Sequence, residues 1–395
     1  MKYGFALGFV FGLLLVGSGF GQDMAYLPAP TGEPSSDGQR PTLTAKLATY
    51  FPGVGDNTEL TLASCADSYC DEGCNQGCAV DACDSCGDAD CCGRSCCSSG
   101  IHVWGEFLYL NARDAEVAFA VPINGPITSP PANNPIPVGA VAVLDPDYSP
   151  GFSVGAAFEL SPCSSLGAEF THFESQTFME TEIDAPLVLR SMVAHPLSAS
   201  ATTDFLQASG NLGIDFDLID IDYRHSVIDN CSHSINYLLG VRYARLDQNL
   251  STRFVNNGVE DVFANIGYDG AGIRLGLEGE KHSCRTGVLI YAKAIASLVA
   301  GDFTADYTQQ ESTDRIVAAT SWKAGRVVTM GDLELGAGWM SCNGLVRLTA
   351  GYTFSKWFNT VMIDEYIDAV QTNEYEGLGD AMTFDGLVTR AEIRF

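Results

Sequence analysis

The sequence predicts an all-β protein: an antiparallel transmembrane β-barrel of about ten strands, with twelve as the upper count. Three observations predict it. From about residue 101 onward, apolar side chains alternate with small or polar ones, and a period of two is the period of a strand. The alternating runs come in pairs, joined by short turns and separated by long polar segments, as in outer-membrane barrels. The chain finishes on Phe395, in phase with the mostly apolar face Leu387, Thr389, Ala391 and Ile393.

The strands follow in order. VWGEFLYLN opens the body. GFSVGAAFEL places Phe152, Val154, Ala156, Phe158 and Leu160 on one face, then turns through SPCS into SLGAEFTHF. NLGIDFDLIDIDY and SINYLLGVRYARLD are joined through RHSVIDNCSH. DGAGIRLGLEGE and TGVLIYAKAIASLVAG are joined through KHSCR. MGDLELGAGWM and GLVRLTAGYTFSKWF are joined through SCN, and DGLVTRAEIRF closes the set. Runs of ~9–11 residues suit tilted membrane strands. The long segments, roughly 111–150, 174–206, 248–265, 302–326 and 361–383, read as outer loops and the short turns as periplasmic.

The polar phase of the strands supplies candidate lumen residues: Glu159, Glu169, Asp215, Asp217, Arg242, Arg274, Glu278, Asp332, Glu334, Arg347, Arg390, Glu392 and Arg394. Both signs are present, as a narrow lumen would require. Gly270, Gly272 and Gly276 share the phase of Arg274 and leave room for bulky neighbours. Trp104 and Trp339 fall near the expected inner rim, and Trp357 and Phe358 near the outer, where aromatics form girdles.

Residues 1–21 read as a cleaved secretory signal peptide: Lys2, an apolar run, then Gly19 and Gly21. Residues 22–64 are a Pro/Gly-rich linker, 65–100 a Cys-rich, disordered periplasmic extension, and 101–395 the barrel. Net charge is −28 with 21 Lys and Arg in 395 residues. That balance argues against nucleic acid, which demands basic side chains.

Ten cysteines crowd the extension: Cys65, Cys70, Cys74, Cys78, Cys83, Cys86, Cys91, Cys92, Cys96 and Cys97. The other four, Cys163, Cys231, Cys284 and Cys342, lie in the short turns. Every thiol is thus expected on the periplasmic side, where disulfides persist. A metal site is disfavoured, since only Cys83 and Cys86 have CxxC spacing and the segment holds no His. Disulfides within the chain, or to a homo- or hetero-oligomeric partner, are the expectation, with no metal and no cofactor.

LLGVRYARLDQ, YDGAGIRLGLEG, ASLVAGDF, LELGAGWM and LTAGYTFSKWF, in that order after WGEFLYL, resemble the Legionella-type major outer-membrane protein family of porin-like barrels. The resemblance covers about 101–395 and extends to the Cys-bearing planctomycete branch of that family. It implies a pore-forming outer-membrane protein in contact with lipid, without catalytic residues. It also makes Phe395 the terminal aromatic by which the barrel-insertion machinery knows its substrates. No Walker, GxGxxG or HExxH motif is present, and the GxSxG spacing of Gly151, Ser153 and Gly155 lies inside the alternating run GFSVGAAFEL, not at the strand-to-helix turn a nucleophile elbow needs. His172 and His195 stand near Glu174, Glu180, Glu182 and Asp184, which keeps an omptin-like enzyme as the remote alternative. The leading expectation is a porin-like pore for small polar solutes or ions. The nearer alternative is a structural barrel, disulfide-linked into the envelope.

Overall fold

The computed structural model describes residues 100–125, 136–161, 163–197, 205–229, 233–256, 258–283, 286–311, 315–341 and 344–395. The signal peptide, the linker and the cysteines at 65–97, 231, 284 and 342 lie outside the described residues.

Ten strands close an antiparallel barrel. They are β1 (Ile101–Arg113), β4 (Ser149–Ser161), β5 (Ser164–Glu182), β7 (Gln207–Asp229), β8 (His233–Val255), β9 (Val259–His282), β10 (Val288–Glu311), β11 (Arg315–Met340), β12 (Val346–Thr360) and β13 (Asp380–Arg394). Each pairs with its sequence neighbour, and β1 seals the barrel between β4 and β13. The strand count of ten is the one the alternation predicts. A small sheet of β2 (Val117–Ile123), β3 (Ala142–Leu144) and β6 (Val188–Ser191), with the helix α1 (Ile363–Thr372), belongs to the long-loop end. No described helix is long and apolar enough to cross a membrane.

The wall is uneven. β7 to β11 run for 23 to 26 residues, whereas β1, β4, β12 and β13 have 13 to 15. A membrane crossing needs only ~9–11. The stretches read as loops at 248–265 and 302–326 are therefore mostly strand, a correction to the sequence reading.

The reason is a change of phase. Along β10, Ile290, Ala292, Ala294, Ala296, Leu298 and Ala300 face outward in the lower half. Beyond Asp302 the faces exchange character: Phe303, Ala305 and Tyr307 are buried inside, while Thr304 and Asp306 face out. The same exchange falls at Asp217 on β7, Arg245 on β8 and Asp269 on β9. Below that row the barrel is apolar outside and polar inside, as a bilayer requires. Above it the barrel is built like a soluble one.

Two glycines are required by close approach. A Cβ on Gly155 would fall within the Trp104 indole, which lies flat across it, and one on Gly272 would strike the Leu298 carbonyl. Gly155 leaves room for Trp104, which the alternation of β1 turns inward. Trp357 is also buried inside, so neither belongs to a girdle; Trp339 does face outward.

Candidate functional site

Among the described residues charge, cavity and burial converge in the lumen, which is layered. At the short-turn mouth, His102 Nε2 lies 2.7 Å from Glu159, and Nδ1 lies 3.3 Å from Glu392. Glu392 also accepts from Arg394 at 2.7 Å, and Arg347 pairs with Glu280 at 2.7 Å. These groups face inward; Glu159 is 26% and nearby Arg224 31% exposed, while Glu392 is buried.

A tighter layer lies deeper. Arg242 donates to Asp220 at 2.7 and 3.0 Å and to Asp332 at 2.8 Å. Arg274 binds Asp220 at 2.7 Å and Asp222 at 2.6 Å. Arg390 bonds Glu106, reaches Glu169 at 3.4 Å and stacks over Trp104 at 5.2 Å. Trp104 donates to Glu169 at 2.9 Å. A cavity of about 100 Å³ sits here, lined by Glu106, Glu169, Asp220, Arg242, Arg274, Lys293, Asp332 and Glu334.

Above the charges the lumen is shut by aromatic rings. Phe216 stands 5.6 Å from Trp357 and 4.8 Å from Phe384, and Phe173 packs on Phe216 at 5.2 Å. All four are buried. From there the interior is mainly apolar: Phe254, Val262, Phe303 and Val299 join the buried face of α1, Ile363, Tyr366, Ile367 and Val370, with Gln248, Thr252, Glu260 and Gln309 buried among them. Tyr366 donates to the Ala305 carbonyl at 3.0 Å, and Gln248 holds the Val361 carbonyl at 2.8 Å. Among the described residues these side chains form a stopper at the loop end.

The sequence-predicted residues divide accordingly. Glu159, Glu169, Arg242, Arg274, Glu278, Asp332, Glu334, Arg347, Arg390, Glu392 and Arg394 face the interior. Asp215 and Asp217 do not. They lie on the outer wall, where Asp217 bonds His172 at 2.7 Å, because the phase exchange falls between Asp217 and Asp220. Sequence reasoning missed His102, Glu106, Asp220, Asp222, Arg224, Glu280 and Lys293. Only Glu280 shares a strand and an inward phase with residues it did find, Arg274 and Glu278; on β1, β7 and β10 it had no inward-facing residue to extend. His172 sits on the outer wall and His195 in the loop after β6, its backbone N–H held by Gln309 at 2.9 Å. Among the described residues no group of His, Cys, Asp and Glu is arranged to hold a metal. Cys163 lies in the turn between β4 and β5, where its carbonyl accepts from the Ser226 N–H at 2.8 Å.

The family profile described as Legionella pneumophila major outer membrane protein precursor matches residues 94–386. No curated protein matches. Among solved structures, the outer membrane protease OmpT from Escherichia coli is similar at 8% identity and TM-score 0.42, covering 75% of this chain and 96% of that one. A major outer membrane protein from Thermus thermophilus is similar at 12% identity and TM-score 0.30, covering 76% and 100%. The Pseudomonas putida toluene transporter TodX is similar at 7% identity and TM-score 0.28, covering 75% and 90%.

Proposed function

The chain belongs to the family of the Legionella pneumophila major outer membrane protein, and from that premise we propose that it is a barrel closed at rest, a structural element of the outer membrane. One observation carries this reading: the Phe173, Phe216, Trp357 and Phe384 layer, with α1 packed above it, fills the lumen at the loop end. Ten strands enclose little more than the eight that side chains already fill, far short of the 16–18 that leave a channel. In this reading the short turns face the periplasm, and the turn and N-terminal cysteines form disulfides that tie the barrel into the envelope. No catalytic role is assigned to His172 or His195.

The solvated, charged lower lumen supports a second reading, a narrow pore for small polar solutes or ions that conducts when the stopper withdraws. Planar-bilayer recording of refolded protein separates the two. The closed barrel is expected to give no unitary steps, while Trp357→Ala combined with Phe384→Ala gives ionic current. Steady steps from the unaltered chain would sink the closed reading.

A further inference from the structure

Lys293 is a lumenal cation whose nearby carboxylates, among the described residues, already have other partners. It sits on β10 directly between Glu278 of β9 and Glu334 of β11. Glu278 is held by Arg224 at 2.9 Å, and Glu334 accepts from Tyr291 at 2.7 Å. Glu169, the other acid beside it, is bound by Trp104 and reached by Arg390. Among the described residues the Lys293 ammonium forms no ion pair within 4.0 Å. Fixed guanidinium forks surround a point charge on a flexible four-carbon stem.

Its position is also particular. The inner chamber of about 100 Å³ and a smaller cavity of about 10 Å³ near Trp104, Ser165 and Gly167 both touch Lys293 and Glu169. The smaller cavity lies toward the short-turn mouth, since Ser165 is next to the β4–β5 turn. From that mouth inward the order is therefore the solvated rim, the small cavity, Lys293 with Glu169, the inner chamber and the aromatic layer.

We propose that Lys293 is the movable constriction of a one-ended vestibule: water and small inorganic cations entering from the short-turn mouth reach the inner chamber when its side chain swings aside. The chamber favours cations over anions because its lining carries Glu106, Glu169, Asp220, Asp332 and Glu334 against Arg242, Arg274 and Lys293. The polar walls keep such a space hydrated. The inference rests on the reading of a barrel closed at the loop end, because an open one would admit solutes past the aromatic layer instead.

The test is the rate at which Thr353→Cys, on the chamber wall, reacts with a small cationic methanethiosulfonate. Labelling is read by mass spectrometry of the peptide bearing residue 353, in refolded full-length protein. With Lys293 present the reaction is expected to be slow. In the Lys293→Ala background it is expected to be about tenfold faster, a barrier change of about 1.4 kcal/mol. Lys293→Arg is expected to restore the slow rate, and an anionic reagent of equal size to lag the cationic one. If Lys293→Ala does not refold, Lys293→Gln is expected to give a smaller acceleration. Equal rates with Lys, Ala, Gln and Arg, or no preference for the cation, overturn the proposal. Unitary current through the unaltered barrel overturns the closed reading separately.

Discussion

Arg242 grips Asp220 through two parallel bonds, Nε at 2.7 Å and Nη2 at 3.0 Å, with the two side chains only 3% and 2% exposed. The pair joins adjacent strands, since Asp220 and Arg242 are direct partners across β7 and β8. The same guanidinium crosses the lumen to Asp332 on β11. Truncating Arg242 leaves Asp220 with Arg274 and Asp332 with Ser355 as remaining partners, both still desolvated, and breaking a buried pair costs about 3–5 kcal/mol. Arg242→Ala should therefore lower unfolding stability by that order. Replacing all three, with Asp220→Asn, Arg242→Met and Asp332→Asn, should cost less, since Arg274 keeps Asp222 at 2.6 Å. Urea unfolding in detergent measures both, and a triple variant as unstable as the single one would contradict the buried network.

Phe384 is the hub of the stopper, touching the rings of Phe173, Phe216 and Trp357. Truncation of a fully buried aromatic costs about 3–5 kcal/mol. Phe384→Ala should approach that loss and admit water to the apolar interior, whereas Phe384→Leu should retain most of the stability. Slower tryptophan quenching by a small aqueous solute in Phe384→Ala than in the parent would count against the stopper.

The strand order was legible because ten runs keep their alternation in the bilayer, where lipid imposes it from one side. The upper wall was harder to read because its alternation has the opposite sense. Asp217 and Asp220 show the difficulty: both are acids in one polar-looking run, but they stand on opposite faces. Polarity alone could not tell them apart, since on β7 the acids face in below the row and out above it. Glu106 was hidden differently, between Trp104 and Leu108 in a run that looked apolar throughout. The ion-pair partners depend on which strands meet across the lumen, and local spacing does not contain that distance.

The stopper should respond to acid. Burial, then the nearby Asp380 carboxylate, pushes Glu365 above the usual glutamate range, and burial likewise raises Asp364. The sign follows from linkage: with the docked-state values above the undocked ones, docking takes up protons. The docked loop is then weakest above the raised values. It gains stability as the pH falls through them toward the ordinary carboxylate range. Protease protection of residues 361–379 should increase on mild acidification, and Asp364→Asn with Glu365→Gln should flatten the profile. Protection that decreased with acid would reverse the assignment.

Leu239 and Asn249 share β8 and its outward face, on either side of Arg245. Leu239 is half exposed and lies among Tyr237, Val241 and Tyr243, within the apolar belt. Asn249 lies beyond the Arg245–Asp247 pair, whose charges meet at 2.7 Å. If the row of Asp217, Arg245, Asp269 and Asp302 marks the membrane boundary, the two positions stand in different solvents. An arginine at the bilayer midplane costs about 2–4 kcal/mol, falling to about 0–1 near the interface. Leu239→Arg should therefore impair refolding into lipid vesicles by an amount in the upper range. Asn249→Arg should be nearly neutral, although it is the same kind of surface on the same strand. Both changes should be mild in a detergent that tolerates charge at the micelle edge, so the contrast must come from the bilayer. Equal penalties at the two sites in vesicles would mean that the change of phase along the strand does not coincide with the edge of the hydrocarbon.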